Sequence, residues 1–317
     1  MGQIHIRRAK LDDTATISNL FQTTIPRWQR INDSGQVEDL PYDKLSIYER
    51  WLHGGAWMSV ETSTLTLSHL LRGAGLPFVA IEDDSVIGYL ELFVGHEPKP
   101  FGNHLHIAHL IADQNHSNVG NIIDILLQDV MRRATQMDIQ RVTVSFSGYD
   151  TDTADFYANY DMSAIQEIGR FSISAQTGQG FYKATDHLLA DYEQIMSWFM
   201  PLGRVENARQ HWESLWTRTW DAVDEIIERP IYRLRFSSGG RDAFLCAEQD
   251  LYNPRNLHLS FWSPQPITGG QVTAIRDWAY RQGYRTLTLT APDSLITTLK
   301  LDVEKIPFRQ VIYAVDV

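Results

Sequence analysis

Apolar and polar positions change their rhythm along the chain in an order that predicts its elements. Residues 4–8 alternate as a strand, and Asp12 or Asp13 caps a helix carrying Ile17, Leu20 and Phe21. Helical stretches at 44–52 and 63–71 precede two strands, 78–82 and 86–94, around an acidic turn from Asp83 to Ser85. Gly88, inside the second of these strands, marks a bulge or a close backbone approach. Residues 105–112 are rich in apolar side chains with no Gly or Pro, which predicts a buried strand. After the polar turn DQNHSNVGN, Ile122, Ile123, Leu126, Leu127, Val130 and Met131 fall on one face of a helix.

A strand at 139–146, a short helix capped by Asp150 or Asp152, and a strand at 171–175 complete an α/β pattern around a mixed sheet. The glycine-rich break AQTGQG at 175–180 predicts a domain boundary. Beyond it come a strand-like FYKA, helices around 192–199 and 205–220, and a hairpin of IYRLRF and AFLCAEQD through a Ser-Gly-Gly turn. NLHLSFW is a strand, PQPITGG a turn, QVTAIRDWAYRQ a helix, TLTLTA a strand, and RQVIYAV a closing strand. The order of elements recurs, so the chain reads as two diverged copies of one fold, 1–176 and 177–317.

Composition narrows the function. The 317 residues, 43% hydrophobic and 21% charged, suit two ordinary globular cores. A net charge of −11 argues against nucleic acid as a partner, because phosphate backbones require a basic surface. No apolar run approaches the roughly 20 residues of a membrane span, and the N-terminal stretch lacks a signal-type apolar region, so a cytoplasmic protein with no membrane partner is expected. Cys246 stands alone, which excludes an internal disulfide and a cysteine-based metal cluster. His104 and His106 share one strand face with His109 on the other; without a third ligand at sensible spacing no metal site is expected. The tryptophans at 51, 57 and across 198–220 are expected in the core.

The turn before residue 122 has a chemistry of its own. A helix that follows a strand through a polar turn leaves its first N–H groups unpaired, and those donors with the helix dipole favour an anionic group such as a phosphate.

Three segments together resemble a known family. VAIEDDSVIGYLEL with Gly88, the strand, turn and helix of 104–133, and Asp150 followed by Phe156 and Tyr157 resemble the GNAT superfamily of acyl-coenzyme A-dependent N-acetyltransferases. The likeness runs over 4–175, and the second half resembles a degenerate copy, giving a tandem-GNAT arrangement. The family's loop pattern, Arg/Gln-x-x-Gly-x-Gly/Ala, falls best on Ser117, Gly120 and Ile122, which leaves the leading Arg and one small residue missing; a register starting at Gln114 or His116 needs a longer loop. Asp161–Met162 stands where the family has Gly-Phe. The second half keeps Gly269 and Gly270 but has APDSLITTLK where a Phe-Tyr pair would follow.

The resemblance implies an α/β (α+β) fold of two GNAT-like domains, each a mixed, mostly antiparallel central sheet flanked by helices. It implies an enzyme that transfers an acetyl group from acetyl-coenzyme A to a primary amine of a small molecule or peptide by direct attack. Ser117, Asn118, Val119, Gly120, Asn121, Ile122 and Asp150 would hold the cofactor, and backbone groups of Leu110, Ile111 and Ala112 would face its pantetheine and acyl carbonyl. Tyr157 would protonate the leaving thiolate, and Glu91 or His109 would take the amine proton. The same residues have structural readings: Tyr157 as a core tyrosine beside Phe156, and the histidines as polar groups satisfied at a sheet end. The alternative function is an inactive tandem-GNAT acyl-coenzyme A sensor or scaffold.

Overall fold

The structure is a computed structural model and describes residues 3–32, 34–178, 180–189, 191–216 and 229–317. It packs as two compact units, one made of the described residues of Met1–Phe93 and Ile107–Asp138, the other of those of Val94–His106, Ile139–Arg218 and Ile227–Val317.

In the first unit β1 (His5–Arg8) leads into α1 (Thr14–Gln22). A two-stranded ribbon, β2 (Gln29–Ile31) and β3 (Val37–Asp39), precedes α2 (Ile47–Trp51) and α3 (Val60–His69). α2 starts at a capping box in which Ser46 accepts from Glu49 N–H and Glu49 reaches back to Ser46 N–H. β4 (Leu76–Glu82) turns into β5 (Ser85–His96) through Asp83 and Asp84, both at positive φ (48° and 64°), the two-residue turn whose twist matches that of the strands. β6 (Asn103–Ala112) and α4 (Val119–Gln136) follow, and this unit holds β5 as far as Phe93 and β6 from Ile107. β1 pairs with β4, and β4 with β5, antiparallel.

Alternation along β5 assigns its two faces. Tyr89 and Phe93 pack with Ile17 and Phe21 of α1, Leu67 of α3 and Trp57, with Phe21 and Trp57 stacked at 5.3 Å. Gly88 faces α4: a Cβ there would lie 2.9 Å from Ile122 Cγ2, 3.1 Å from Leu126 Cδ1 and 3.2 Å from the Ile111 carbonyl oxygen. The register with β4 also slips between Ala80 and Ile81, so a bulge and a close approach coincide at this glycine.

In the second unit β7 (Arg141–Ser147), α5 (Thr151–Ala158), β8 (Ser163–Ser174) and β9 (Tyr182–Asp186) come first. β10 (Phe199–Leu202) and α6 (Ala208–Trp216) lead to β11 (Ile231–Ser238), β12 (Arg241–Gln249) and β13 (Asn256–Ser263). α7 (Gly269–Arg281), β14 (Thr286–Ala291), α8 (Asp293–Leu299) and β15 (Glu304–Asp316) end the chain. The strands lie in the order β7-β15-β8-β14-β13-β12-β11-β9, with β10 paired to β13 off this path. These strands pair antiparallel except β13 with β14, which are parallel. Hairpin, strand, helix, strand, helix, strand is thus the order from β4 to β8 and again from β11 to β15.

The closing strands of the two copies are interleaved. β15 inserts between β7 and β8, and β8 pairs onward with β14. Packing therefore groups β7, α5 and β8 with the second copy, whereas the division at 176/177 describes only the repeat along the chain.

Three local expectations change. The helix expected at 192–199 is a single 3-10 turn, Tyr192–Ile195, ended by Ser197 in the left-handed region (φ 65°) and followed by β10. Its apolar spacing imitates a helix because Tyr192 and Ile195 face the tryptophan core from the turn and Trp198 from beyond it. The helix expected over 205–220 begins at Ala208, and 217–220 lie outside the described residues. Gly269 and Gly270 open α7 rather than form a loop.

The second unit is built on two apolar clusters, one around Phe236, Leu245, Leu259, Ile275 and Leu287, the other around Trp212, Trp216 and Trp262, with Trp212 and Trp216 stacked at 4.1 Å. Beside the second cluster is a buried ion pair, Arg204–Glu97, with side chains 4% and 3% exposed. Glu97 also accepts from Ala208 N–H at the start of α6 (3.3 Å), and Arg204 lies over the Phe101 ring at 4.1 Å. Burial alone would raise the Glu97 carboxyl, but Arg204 and the Ala208 N–H help hold it below the ordinary carboxylate range. His104 Nδ1–H donates to Gly102 O (3.1 Å), and its Nε2 accepts from Asn207 Nδ2 (2.7 Å). Burial lowers the pKa of this imidazole, so its 3.7 Å contact with Glu97 is made by a neutral ring.

Arg204→Met leaves Glu97 buried and uncompensated and should cost about 3–5 kcal/mol in urea unfolding. Arg204→Met combined with Glu97→Leu should recover most of that loss. Equal destabilisation by the single and double variants would show that the pair does not act as a unit.

Candidate functional site

The turn before α4 is built from its own polar residues. His116 Nδ1 accepts the Asn118 N–H at 3.1 Å, and its Nε2 meets Glu82 Oε2 at the end of β4 at 2.9 Å. The two contacts agree on one neutral tautomer, with Nε2–H donating to the carboxylate. Asp113 N–H donates to Ile87 O (2.9 Å), and the Asp113 side chain accepts from Asn115 N–H (2.9 Å). The turn is therefore fastened to β4 and β5 at both ends.

Its mouth is open. Asn118, at the N-cap of α4, makes no side-chain capping bond, and the first turn of the helix carries no acidic residue. The first helical hydrogen bond runs from Ile122 N–H to Asn118 O (3.3 Å), so the N–H groups of Val119, Gly120 and Asn121 have no partner within the helix. Ser117, Gly120 and Asn121 are exposed, and no atom lies within 4 Å of a Cβ built on Gly120. Ile122 stands where the loop pattern has a small residue, yet its side chain is fully buried against Gly88 and does not enter the turn. Of the residues expected to hold a cofactor, 117–121 thus form one accessible turn, while Ile122 supports it from beneath and donates its own N–H inward.

Leu110 and Ile111 are half-buried near the end of β6, and Ala112 is buried. Glu91, buried in β5, accepts the Tyr89 hydroxyl at 2.9 Å; burial and then the carboxylate push that phenol well above its ordinary pKa. His109 packs edge-on against Phe21 at 5.0 Å, and burial lowers its imidazole to about 4. A base that weak is unprotonated at neutral pH but holds a proton poorly once it has accepted one.

In the second unit, Tyr157 is buried on α5, with Phe146 stacked at 5.8 Å and Phe156 edge-on at 5.0 Å. Burial raises its phenol above the ordinary value, so it keeps its proton at any physiological pH. Asp150 is the N-cap of α5: its carboxylate accepts from Thr153 N–H (3.0 Å) and Thr153 Oγ1 (2.7 Å). Capping thus employs the side chain that the resemblance assigns to cofactor binding. His106 Nδ1 is 2.9 Å from Thr143 Oγ1, which makes it, like His104, a buried histidine in polar contact. Cys246 is buried beside the tryptophan cluster, and burial pushes its thiol well above the ordinary pKa, so it is no nucleophile.

The corresponding place in the second copy is built differently. Thr268 caps α7 by accepting from Gln271 N–H, and Gln271 reaches back to Thr268 N–H. β13 and β14 pair as far as Leu259↔Leu289; beyond that β13 pairs with β10 through Leu202↔Phe261 and Phe199↔Ser263, and Gly203 N–H donates to Thr290 O (2.9 Å). The chain's own segment fills the place where these strands part. The roles of His116 and Glu82 are not legible in the sequence, because the partners stand 34 positions apart and neither carries a motif.

Solved structures share this architecture. A GCN5-related N-acetyltransferase from Anabaena variabilis matches over 98% of this chain and 72% of its own, with a TM-score of 0.57 at 10% identity. One from Kribbella flavida matches over 99% and 71%, with 0.54 at 10%. A putative acetyltransferase from Pyrococcus horikoshii matches over 99% and 89%, with 0.50 at 11%. No family model and no curated protein matches the sequence. At these identities the likeness shows the fold, and that fold is the GNAT fold.

The lowered pKa of His109 sets a pH dependence. The unfolded chain binds this proton near pH 6.5 and the folded one near 4, so the neutral ring contributes stability above about pH 6.5 that is lost as pH falls through that window. Proton NMR should show the His109 ring titrating well below the exposed histidines, and His109→Gln should flatten the stability slope between those values. Titration at an ordinary histidine pKa would refute the burial.

Proposed function

We propose that the protein is an N-acetyltransferase that takes acetyl-coenzyme A as co-substrate and a primary amine of a small molecule or peptide as acceptor. The observation that carries this reading is the turn before α4, whose main-chain donors at Val119, Gly120 and Asn121 have no partner within the helix, while Ile122 is buried against Gly88. The GNAT fold and the capped α7 of the second copy support placing the cofactor in the first copy.

The residues fit a diphosphate in one definite way. Three N–H groups at a helix N-terminus, with no carboxylate in the first turn, suit an anion through main-chain atoms, so the absent leading Arg is not essential. Acetyl-coenzyme A would supply the thioester. Backbone groups of Leu110, Ile111 and Ala112 are assigned to orient its pantetheine and acyl carbonyl. Glu91, which accepts the Tyr89 hydroxyl, and His109 are the two candidate bases. Tyr157 stays protonated through burial and is assigned to give that proton to the thiolate as the amine displaces it. Ser117 and Asn118 shape the turn, and Asp150 acts through the capping of α5 rather than by touching the cofactor.

Acetyl-coenzyme A at about 100 times its dissociation constant should stabilise the protein by about 2.7 kcal/mol, read as a rise in melting temperature. No rise at millimolar cofactor would remove the enzyme and the sensor together; a rise without turnover on a panel of amines would favour the sensor.

Tyr157→Phe should lower kcat roughly 10²-fold or more with cofactor affinity unchanged. An undiminished rate would take the proton-donor role from Tyr157.

A further inference from the structure

The second unit holds a cleft of about 180 Å³ next to β10, walled by Phe101, Phe199, Met200, Ile267, Pro292 and Leu295. These residues come from four different segments, and the pairing of β10 with β13 fixes Phe199 and Met200 in place. None of the residues assigned to acyl transfer lines this cleft. Glu97 and Arg204 also line the cleft, but they neutralise each other. Both carboxylate oxygens of Glu97 are engaged by the guanidinium, and Arg204 Nη1 donates additionally to Glu206 O (3.1 Å). The charge beside the apolar walls is therefore already balanced, and the exposed Lys99 stands at the rim.

One polar group in the lining is unanswered. Gln166, on β8, has its Oε1 buried with no hydrogen-bond partner among the described residues. A buried acceptor without a donor is costly, and a ligand that brings an N–H or O–H relieves that cost as it binds. Apolar cavities of about 150 Å³ accept benzene, so this volume suits a single ring.

We propose that the cleft is a binding site for a small uncharged molecule with one aromatic or alicyclic ring and one N–H or O–H donor. The ring lies against Phe101, Phe199 and Met200, and the donor bonds to Gln166 Oε1. The site is independent of the turn before α4, so failure of the transferase reading leaves it intact.

The test uses the full chain, ¹⁵N-labelled and without acetyl-coenzyme A, titrated separately with phenol and with toluene to millimolar concentration. Phenol should shift the Gln166 side-chain amide and the backbone amides of Phe199 and Met200, and should bind roughly tenfold more tightly than toluene. Gln166→Leu should bring phenol to within roughly twofold of toluene, because only the hydrogen bond separates the two ligands. If that variant does not fold, the comparison of the two ligands on the unaltered protein decides alone. Equal binding of phenol and toluene would overturn the role of Gln166. No shift at the cleft with either would mean that water alone answers Oε1, and would overturn the site.

Discussion

β15 is hydrogen-bonded along both of its edges, to β7 through Gln310↔Ser147 to Asp316↔Arg141 and to β8 through Glu304↔Ser172 to Ala314↔Ser163. β8 in turn uses its other edge for β14. The closing strand of the first copy therefore cannot leave without opening the sheet of the second, and the reverse holds as well. Loss of either strand would expose a row of unpaired backbone groups on both neighbours, which a β-sheet tolerates poorly. Strand pairs so distant in sequence form late and slowly, since chain entropy is lost before their contacts are gained. The order of elements repeats along the chain; their pairing does not.

That distinction marks what could be read from the residues. Local chemistry announced the hairpins: Asp83–Asp84 and Gly239–Gly240 supply the positive φ that tight turns need, and both stand between strands as expected. The amphipathic face of α4 and the cap at Asp150 were legible for the same reason, because a helix and its cap are settled within a few residues. The insertion of β15 between β7 and β8 was not, since alternation specifies a strand and its buried face but not its neighbour. The 192–199 stretch failed differently. Its apolar residues recur at helical spacing, yet Ser197 breaks the backbone and the tryptophan core gathers Tyr192, Ile195 and Trp198 from either side of that break.

The candidate site shows the same division. Gly88 could be read as a close approach, but not that Ile122, 34 positions on, is what approaches. Read as a loop residue, Ile122 looks like an obstruction to a diphosphate. Packed under α4 it does the opposite, anchoring the first turn of the helix and turning its own bulk away from the donors. His116 and Glu82 complete the anchoring through an imidazole whose tautomer both neighbours agree on. A loop without the side-chain pattern can in this way hold a main-chain geometry, because the geometry is fixed from below and behind by Gly88, Ile122 and Glu82.

The two copies have resolved the same structural problem in opposite directions. Unpaired donors at a helix N-terminus must be satisfied by a side chain, by water or by a ligand. At α7 Thr268 answers the Gln271 N–H and Gln271 answers the Thr268 N–H in return, and β10 occupies the place where β13 and β14 part. At α4 the N-cap side chain makes no such bond, although serine and asparagine stand immediately before the helix. Asn118 is itself held by His116 through its backbone N–H, with φ −136° and ψ 49°, and its side chain makes no capping bond in that conformation. A serine or asparagine beside a helix start ordinarily contributes about 1 kcal/mol by capping it; α4 forgoes that contribution, and α7 takes it through Thr268.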